Sequence, residues 1–150
     1  MRWPDEAATQ AWAARLAGQA PLRNAIIELH GELGAGKTTL VRHLLRAMGV
    51  QGRIKSPSYA VVEPHVVSTA EGDLSISHFD FYRFTDPREW EDAGFRDIFT
   101  APGLKLIEWP DHARAALPVP DLAVHLSVQA DDSRSVHLEA YTALGTELLA

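Results

Sequence analysis

Residues 31–38 of the chain, GELGAGKT, contain three glycines, two of which stand with a lysine and a hydroxyl residue at the spacing G-x-x-x-x-G-K-[ST]. This spacing is typical of a loop that binds the phosphates of a nucleoside triphosphate, because glycines let backbone N–H groups approach the phosphates closely. Lys37 is expected to reach the β- and γ-phosphates, and the Thr38 hydroxyl is expected to bind Mg²⁺. The other residues predicted to contact the nucleotide in this loop are Gly34, Ala35, Gly36 and Thr39.

Two carboxylates follow apolar runs and are candidates to complete such a site. A Mg²⁺ ion bound to a triphosphate takes oxygen ligands from one or two carboxylates. Asp80 follows the run 76–79, and Glu108 follows the run 104–107. Because strand C-termini in an open α/β sheet face the ligand crevice, either acid is placed to hold the metal or to orient the attacking water. The sequence leaves the division of these two roles open.

Ser58 is a candidate switch residue in the turn 56–59. A hydroxyl on a loop after the first phosphate-binding helix can contact the γ-phosphate or the metal and so report hydrolysis. Trp109, next to Glu108, is the aromatic residue that we expect to touch nucleotide or a partner. The seven histidines lack zinc-like spacing, and we interpret them as structural or solvent-exposed.

The elements that position these residues alternate between strands and helices. The apolar run 25–30 predicts a buried strand, and residues 36–48 predict a helix, because their apolar side chains recur at helical spacing. Residues 104–108 predict a second buried strand. The remaining predicted elements are a helix over 5–17, strands over 60–62, 66–67 and 76–79, a helix over 87–99, a short helix after Pro110 through Leu117, and a β-hairpin of residues 122–128 and 136–140.

This order of elements predicts the fold class. We expect an α/β fold, a three-layer sandwich like that of phosphate-loop NTPases, with a mixed, partly antiparallel sheet. Residues 1–150 are expected to form one domain.

Composition limits the functions that remain. The chain has a net charge of −6 and no long basic run, which argues against direct binding of nucleic acid. It has no cysteine, which excludes disulfides and thiolate metal sites. No apolar run approaches the roughly 20 residues that span a bilayer, and the first residues lack the apolar core of a signal peptide, so a cytoplasmic location is expected.

The base of the nucleotide is predicted by elimination. A small GTPase reads guanine with an N-K-x-D element, and the only asparagine here, Asn24, is followed by Ala25. No aspartate is followed by a glycine three positions later, so the D-x-x-G element is missing as well. Adenine is therefore the expected base.

Four motifs together resemble those of the bacterial TsaE (YjeE) family. In chain order they are residues 31–39 (GELGAGKTT), 56–59 (SPSY), 78–83 (HFDFYR) and 107–110 (IEWP). The phosphate loop alone is common to many families, whereas the H-F-D-x-Y-R and E-W-P elements at these spacings are far more specific. The resemblance extends over nearly the whole chain.

The resemblance implies an ATPase subunit of the machinery that makes threonylcarbamoyladenosine at position 37 of tRNAs reading ANN codons. It implies that the subunit acts with TsaD and TsaB, that it meets tRNA only indirectly, and that hydrolysis resets the complex between turnovers. Lys37 and Thr38 match the family's phosphate and Mg²⁺ ligands, Glu108 matches the second metal-site residue, and Asp80 matches an acid needed for hydrolysis. Glu6 and Thr9 match positions where the family borders the adenine, and Arg134 lies in a hairpin segment that the resemblance also expects to reach the nucleotide.

The chain departs from the family pattern at a few positions. Ser58 stands where threonine is usual and keeps the hydroxyl, and Glu32 replaces the common aspartate of the phosphate loop. Two other functions stay open: a small-molecule kinase and a nucleotide-binding structural subunit that does not hydrolyse ATP.

Overall fold

The computed structural model describes residues 1–54, 57, 61–85 and 94–150. The strands are β1 (Arg2–Trp3), β2 (Ile26–His30), β3 (Val62–Thr69), β4 (Gly72–Asp80), β5 (Leu104–Glu108), β6 (Leu122–Val128) and β7 (Arg134–Ala140). The α-helices of these described residues are α1 (Glu6–Ala17), α2 (Lys37–Ala47), α3 (Phe95–Thr100) and α4 (Ala143–Leu148), with 3₁₀ helices at Ala20–Asn24 and Pro110–Ala116.

The described strands form one sheet in the order β1-β7-β6-β2-β5-β4-β3. At its centre β6, β2, β5 and β4 are parallel neighbours, whereas β3 and β7 join by antiparallel pairing and β1 pairs antiparallel with β7. The carboxyl ends of the parallel strands therefore meet at one edge of the sheet, where ligands bind in folds of this kind. The predicted α/β class with a mixed sheet is confirmed.

Side-chain alternation along the strands builds an apolar layer on each face of the sheet. Leu104 and Leu106 of β5 belong to the core that includes the apolar faces of α1 and α2. Ile107 of the same strand lies on the opposite face in a second core rich in phenylalanine. The sheet is thus covered by apolar contacts on both sides, which fixes the register of its central strands.

The two long helices begin where their sequences predict. Asp5 caps α1 by accepting a hydrogen bond from the backbone N–H of Ala8 at 3.0 Å. Gly36 precedes α2 in a left-handed conformation with φ 108°, which glycine adopts without a Cβ penalty. The predicted helices over 5–17 and 36–48, the strands over 25–30 and 104–108 and the terminal hairpin are confirmed within a few residues.

Other elements differ from their predictions. Strand β3 is continuous from Val62, with Pro64 inside it, because β3 is an edge strand and can lack one backbone donor. Val61 has φ 65° and is not part of a strand, so the strand predicted over 60–62 is wrong at this residue, and residue 60 lies outside the described residues.

The two predicted helices after β4 are also corrected. Gly94 is left-handed (φ 70°) and precedes α3, so no helix passes through it from 87 to 99; residues 87–93 lie outside the described residues. The helix after Pro110 is 3₁₀ and contains a kink at Ala113. No helix among the described residues is long and apolar enough to cross a membrane.

Candidate functional site

The phosphate loop connects β2 to α2 at the carboxyl edge of the sheet. A Cβ built on Gly31 would lie 2.6 Å from the carbonyl oxygen of Leu126 and 3.0 Å from the Cβ of Ala35. The loop therefore packs so closely against β6 that only glycine fits at position 31. Gly34 and Gly36 also have positive φ, of 80° and 108°, which turns the chain so that the N-terminus of α2 faces the loop.

Lys37 is buried in the first turn of α2, with 5% of its surface exposed. Its Nζ donates hydrogen bonds to the carbonyl oxygens of Gly31 and Glu32, and lies 3.8 Å from the ring centroid of Trp109. Burial lowers the pKa of Lys37, while the negative charges of Glu108 and Asp80 oppose that shift. The ammonium is thus held in place among acceptors that a phosphate can replace.

Thr38, Glu108 and His78 form a chain of hydrogen bonds beside the loop. The Thr38 Oγ1 donates to Glu108 Oε1 at 2.9 Å, and His78 Nε2 lies 2.5 Å from Glu108 Oε2. Glu108 is 2% exposed and His78 is fully buried. A buried carboxylate held from two sides in this way keeps one orientation.

Asp80 lies next to Glu108 on the same edge of the sheet. The two residues are direct partners in the parallel pairing of β4 with β5. Asp80 Oδ1 also accepts a hydrogen bond from the backbone N–H of Tyr82 at 2.9 Å. Both acids line a cavity of about 300 Å³ together with the phosphate loop and Arg134. The two acids predicted separately from the sequence thus flank one space.

Aromatic rings form one wall of that cavity. Trp109 has a left-handed backbone (φ 55°) directly after β5, and its ring contacts Tyr82 at 4.9 Å between centroids. His112 supports both rings, and its Nδ1 lies 2.9 Å from the carbonyl oxygen of Phe81. Trp109 thus lines the cavity, and its contact with Lys37 is one that the sequence did not predict. Contact of Trp109 with nucleotide or a partner stays a prediction.

A second cavity of about 180 Å³ borders the other side of the loop. Glu6 and Thr9 of α1 line it together with Arg134 of β7. The Nε of Arg134 donates to the carbonyl oxygen of Ala35 at 2.9 Å, so this side chain bridges the hairpin and the phosphate loop. Glu6 Oε1 lies 2.9 Å from His43 Nε2 of α2. Glu6 and Thr9, which the resemblance placed beside the adenine, therefore share one space next to the loop with Arg134.

The oxygen donors that line the first cavity, of about 300 Å³, fit Mg²⁺. The hydroxyl of Thr38 and the carboxylates of Glu108 and Asp80 are hard oxygen donors, which Mg²⁺ prefers. Among the described residues, no group of three or more His, Cys, Asp or Glu side chains could hold a metal alone. In phosphate-loop sites, nucleotide phosphates and water complete the coordination of Mg²⁺.

Comparison with known proteins assigns the family. A sequence model described as "Threonylcarbamoyl adenosine biosynthesis protein TsaE" matches residues 3–136. The chain belongs to the TsaE family. The resemblance drawn from the four motifs is therefore confirmed, and the chain belongs to a family named for the biosynthesis of threonylcarbamoyladenosine in tRNA.

Individual TsaE proteins are similar over most of their length. The Haemophilus influenzae TsaE is 42% identical over 83% of this chain and 76% of its own. The Bacillus subtilis TsaE is 31% identical over 80% of this chain and 70% of its own. A crystal structure of Bacillus subtilis YdiB superposes with a TM-score of 0.79 at 26% identity, and the match covers 99% of this chain and 89% of that one.

The structure of this TsaE family member brings most of the predicted site residues together. The first cavity joins Lys37, Thr38, Asp80 and Glu108, and the second joins Glu6, Thr9 and Arg134. Ser58 lies outside the described residues. Sequence reasoning missed the contact of His78 with Glu108, although its position two residues before Asp80 in a strand predicts that both side chains share one face.

Proposed function

We propose that this TsaE family member is a Mg²⁺-dependent ATPase. It would be an accessory subunit for the threonylcarbamoylation of adenosine 37 in tRNAs reading ANN codons, acting on the TsaD–TsaB complex. The observation that carries the proposal is the hydrogen bond between Thr38 and Glu108 beside the phosphate loop, with Asp80 adjacent. Nucleotide, metal and water can meet at that point.

Phosphate binding is the task of the loop and the first turn of α2. Residues 34–39 line the cavity, and their backbone N–H groups would receive the phosphate oxygens, apart from that of Ala35, which donates to the Glu32 carbonyl oxygen at 3.0 Å. Lys37 would exchange its two carbonyl acceptors for the β- and γ-phosphates, because a charged acceptor binds an ammonium more strongly than a carbonyl does.

Thr38 and Glu108 would hold the metal, directly or through water. When bound, Mg²⁺ would neutralise the negative charge that develops on the phosphate oxygens. Asp80 would orient the attacking water and accept its proton, because it lines the same cavity and pairs directly with Glu108 across β4 and β5. Ser58 is proposed to sense the γ-phosphate.

The second cavity is proposed to border the adenine and ribose. Thr9 is buried there, Glu6 supplies an acceptor, and Arg134 lies between this space and the phosphates. The two cavities are adjacent, because both are lined by Ala35, Gly36 and Thr39. A nucleotide whose phosphates lie in the first cavity would therefore place its base in the second, next to α1.

Partner proteins are proposed to complete the site. Leu33 at the tip of the loop is 65% exposed, and Tyr82 beside the cavity is 43% exposed. Because both side chains line the first cavity, a partner protein that covered them would also close the mouth of the site. The net charge of −6 favours partner-mediated rather than direct contact with tRNA. We propose that the assembly works in the cytoplasm, where bacterial tRNA is modified.

The test is steady-state ATP hydrolysis by the pure protein with Mg²⁺, alone and after addition of TsaB and TsaD. Strong stimulation by the pair is expected, because the exposed mouth of the site would then be covered. If ATP still binds but the pair gives no stimulation, the proposal is wrong. Transfer of phosphate to a metabolite would then indicate a kinase, and its absence would indicate a structural nucleotide-binding subunit.

A further inference from the structure

His78 is a buried histidine that phosphate binding and water activation do not use. It lies on β4, two residues before Asp80, and its side chain is on the same face of the sheet as Asp80 and Glu108. The ring is fully buried, yet its Nδ1 has no hydrogen-bond partner among the described residues. Its one hydrogen bond there is made by Nε2, to Glu108.

That hydrogen bond separates the roles of the two oxygens of Glu108. Oε1 accepts from the Thr38 hydroxyl at 2.9 Å and faces the phosphate loop. Oε2 lies 2.5 Å from Nε2 of the fully buried His78. A carboxylate accepts hydrogen bonds, so the ring donates from Nε2 to Glu108.

Without His78, the carboxylate would have a competing partner. Lys37 and Glu108 line the same cavity and carry opposite charges, so the two side chains attract each other. If Glu108 lost its hydrogen bond to His78, its carboxylate could rotate about the terminal side-chain bond, because sp³–sp² torsion angles of this kind have a broad distribution. Rotation toward Lys37 would remove Oε1 from Thr38 and also engage the ammonium that phosphates require.

We propose that His78 is a positioning residue that locks the orientation of Glu108, so that Oε1 stays beside Thr38 and available to the metal. The inference rests on the proposed function, in which Thr38 and Glu108 hold Mg²⁺. Ligating carboxylates are commonly oriented by a hydrogen bond to the oxygen that does not face the metal, and loss of such a partner typically costs about 10–100-fold in metal affinity or activity.

Three substitutions of one residue separate hydrogen bonding from packing. His78→Gln carries an amide N–H about as far along the side chain as Nε2, His78→Asn carries one that is a methylene too short, and His78→Leu carries none. His65→Leu is the control, because His65 lies on the neighbouring strand β3 and its Nε2 has no hydrogen-bond partner among the described residues.

The primary readout is the affinity of the protein–AMPPNP complex for Mn²⁺, measured by electron paramagnetic resonance. AMPPNP affinity in EDTA is measured in parallel. We expect His78→Leu and His78→Asn to weaken Mn²⁺ binding by about tenfold or more. His78→Gln and His65→Leu should stay within about threefold of the wild-type value in both measurements. Metal-free AMPPNP should bind more weakly to His78→Leu and His78→Asn, because the released carboxylate then competes with the phosphates for Lys37.

Several outcomes would overturn the inference. Wild-type Mn²⁺ affinity in His78→Asn or His78→Leu would show that Glu108 needs no positioning, and equal losses in His78→Gln and His78→Asn would show that the ring acts by packing. Because His78→Asn and His78→Gln are similar in polarity, their comparison holds even if His78→Leu does not fold. A wild-type protein that binds AMPPNP but no Mn²⁺ would instead contradict the proposed function.

Discussion

Replacement of Gly31 by alanine is expected to destabilise the protein more than the same change at Gly34, although both glycines belong to the phosphate loop. At Gly31 the new Cβ would lie 2.6 Å from the Leu126 carbonyl oxygen, and φ is 151°. At Gly34 φ is 80°, and no atom lies within 4 Å of the new Cβ. Comparison of Gly31→Ala with Gly34→Ala therefore separates the effect of a steric clash from the effect of an unfavourable backbone conformation.

The magnitudes follow from these two environments. A positive φ at a residue with a Cβ lowers the free energy of unfolding by about 1–2 kcal/mol, and this applies to both variants. The overpacking at Gly31 adds about 1–3 kcal/mol. Alanine has less conformational freedom than glycine in the unfolded chain, and this stabilises both variants by about 0.4–1 kcal/mol. The expected free-energy loss is then about 2–4 kcal/mol for Gly31→Ala and about 1 kcal/mol for Gly34→Ala.

Urea unfolding followed by circular dichroism measures both losses, and thermal unfolding provides a second assay. For a chain of this size, 1 kcal/mol corresponds to about 2–4 °C in Tm. Gly31→Ala should therefore unfold about 3–10 °C below Gly34→Ala. Equal stability of the two variants, or greater loss in Gly34→Ala, would refute the close packing of the loop against β6.

Three further outcomes are expected. Arg114→Met should cost about 2 kcal/mol by urea unfolding, because it leaves the carboxylate of Glu28, which is 2% exposed, without its bidentate partner at 2.8 and 2.9 Å; a loss below about 0.5 kcal/mol would contradict this. Hydrogen bonds from Ser133, with that of Arg2, lower the pKa of Asp131 to about 2. Because its folded pKa lies below the unfolded value, its stabilisation is complete above about pH 4 and lost as pH falls toward 2. The difference in urea midpoint between wild type and Asp131→Asn should therefore narrow over that interval, and a constant difference would argue against it. Lys37→Ala should weaken ATP binding at least tenfold by calorimetry, since a buried ammonium beside the phosphates is lost; unchanged affinity would exclude its phosphate role.

The sequence predicted the parts of the site whose signals are local. Lys37 and Thr38 belong to one short motif, and the strand and helix around it follow from apolar periodicity. Asp80 and Glu108 were predicted because each ends an apolar strand, and parallel strands bring such ends together. These inferences need only the neighbouring residues and one rule of sheet topology.

The remaining features depend on long-range pairing. The hydrogen bond from His78 to Glu108 requires the register of β4 against β5, which no local pattern encodes. The position of Pro64 inside β3 is acceptable only because β3 lies at the edge of the sheet. Strand β1 has two residues and is defined by its pairing with β7, so its own sequence gives no strand signal.

The most direct test of the central claim measures how many tRNAs are modified per assembly of TsaD, TsaB and the Glu108→Ala variant loaded with ATP. Glu108 is the buried partner of Thr38, so the variant should keep ATP binding through Lys37 and the loop but lose hydrolysis. If hydrolysis resets the complex, modification should stop after about one round per assembly, while the wild-type protein continues. Repeated modification by the variant at the wild-type rate would contradict the account, because ATP occupancy alone would then be sufficient.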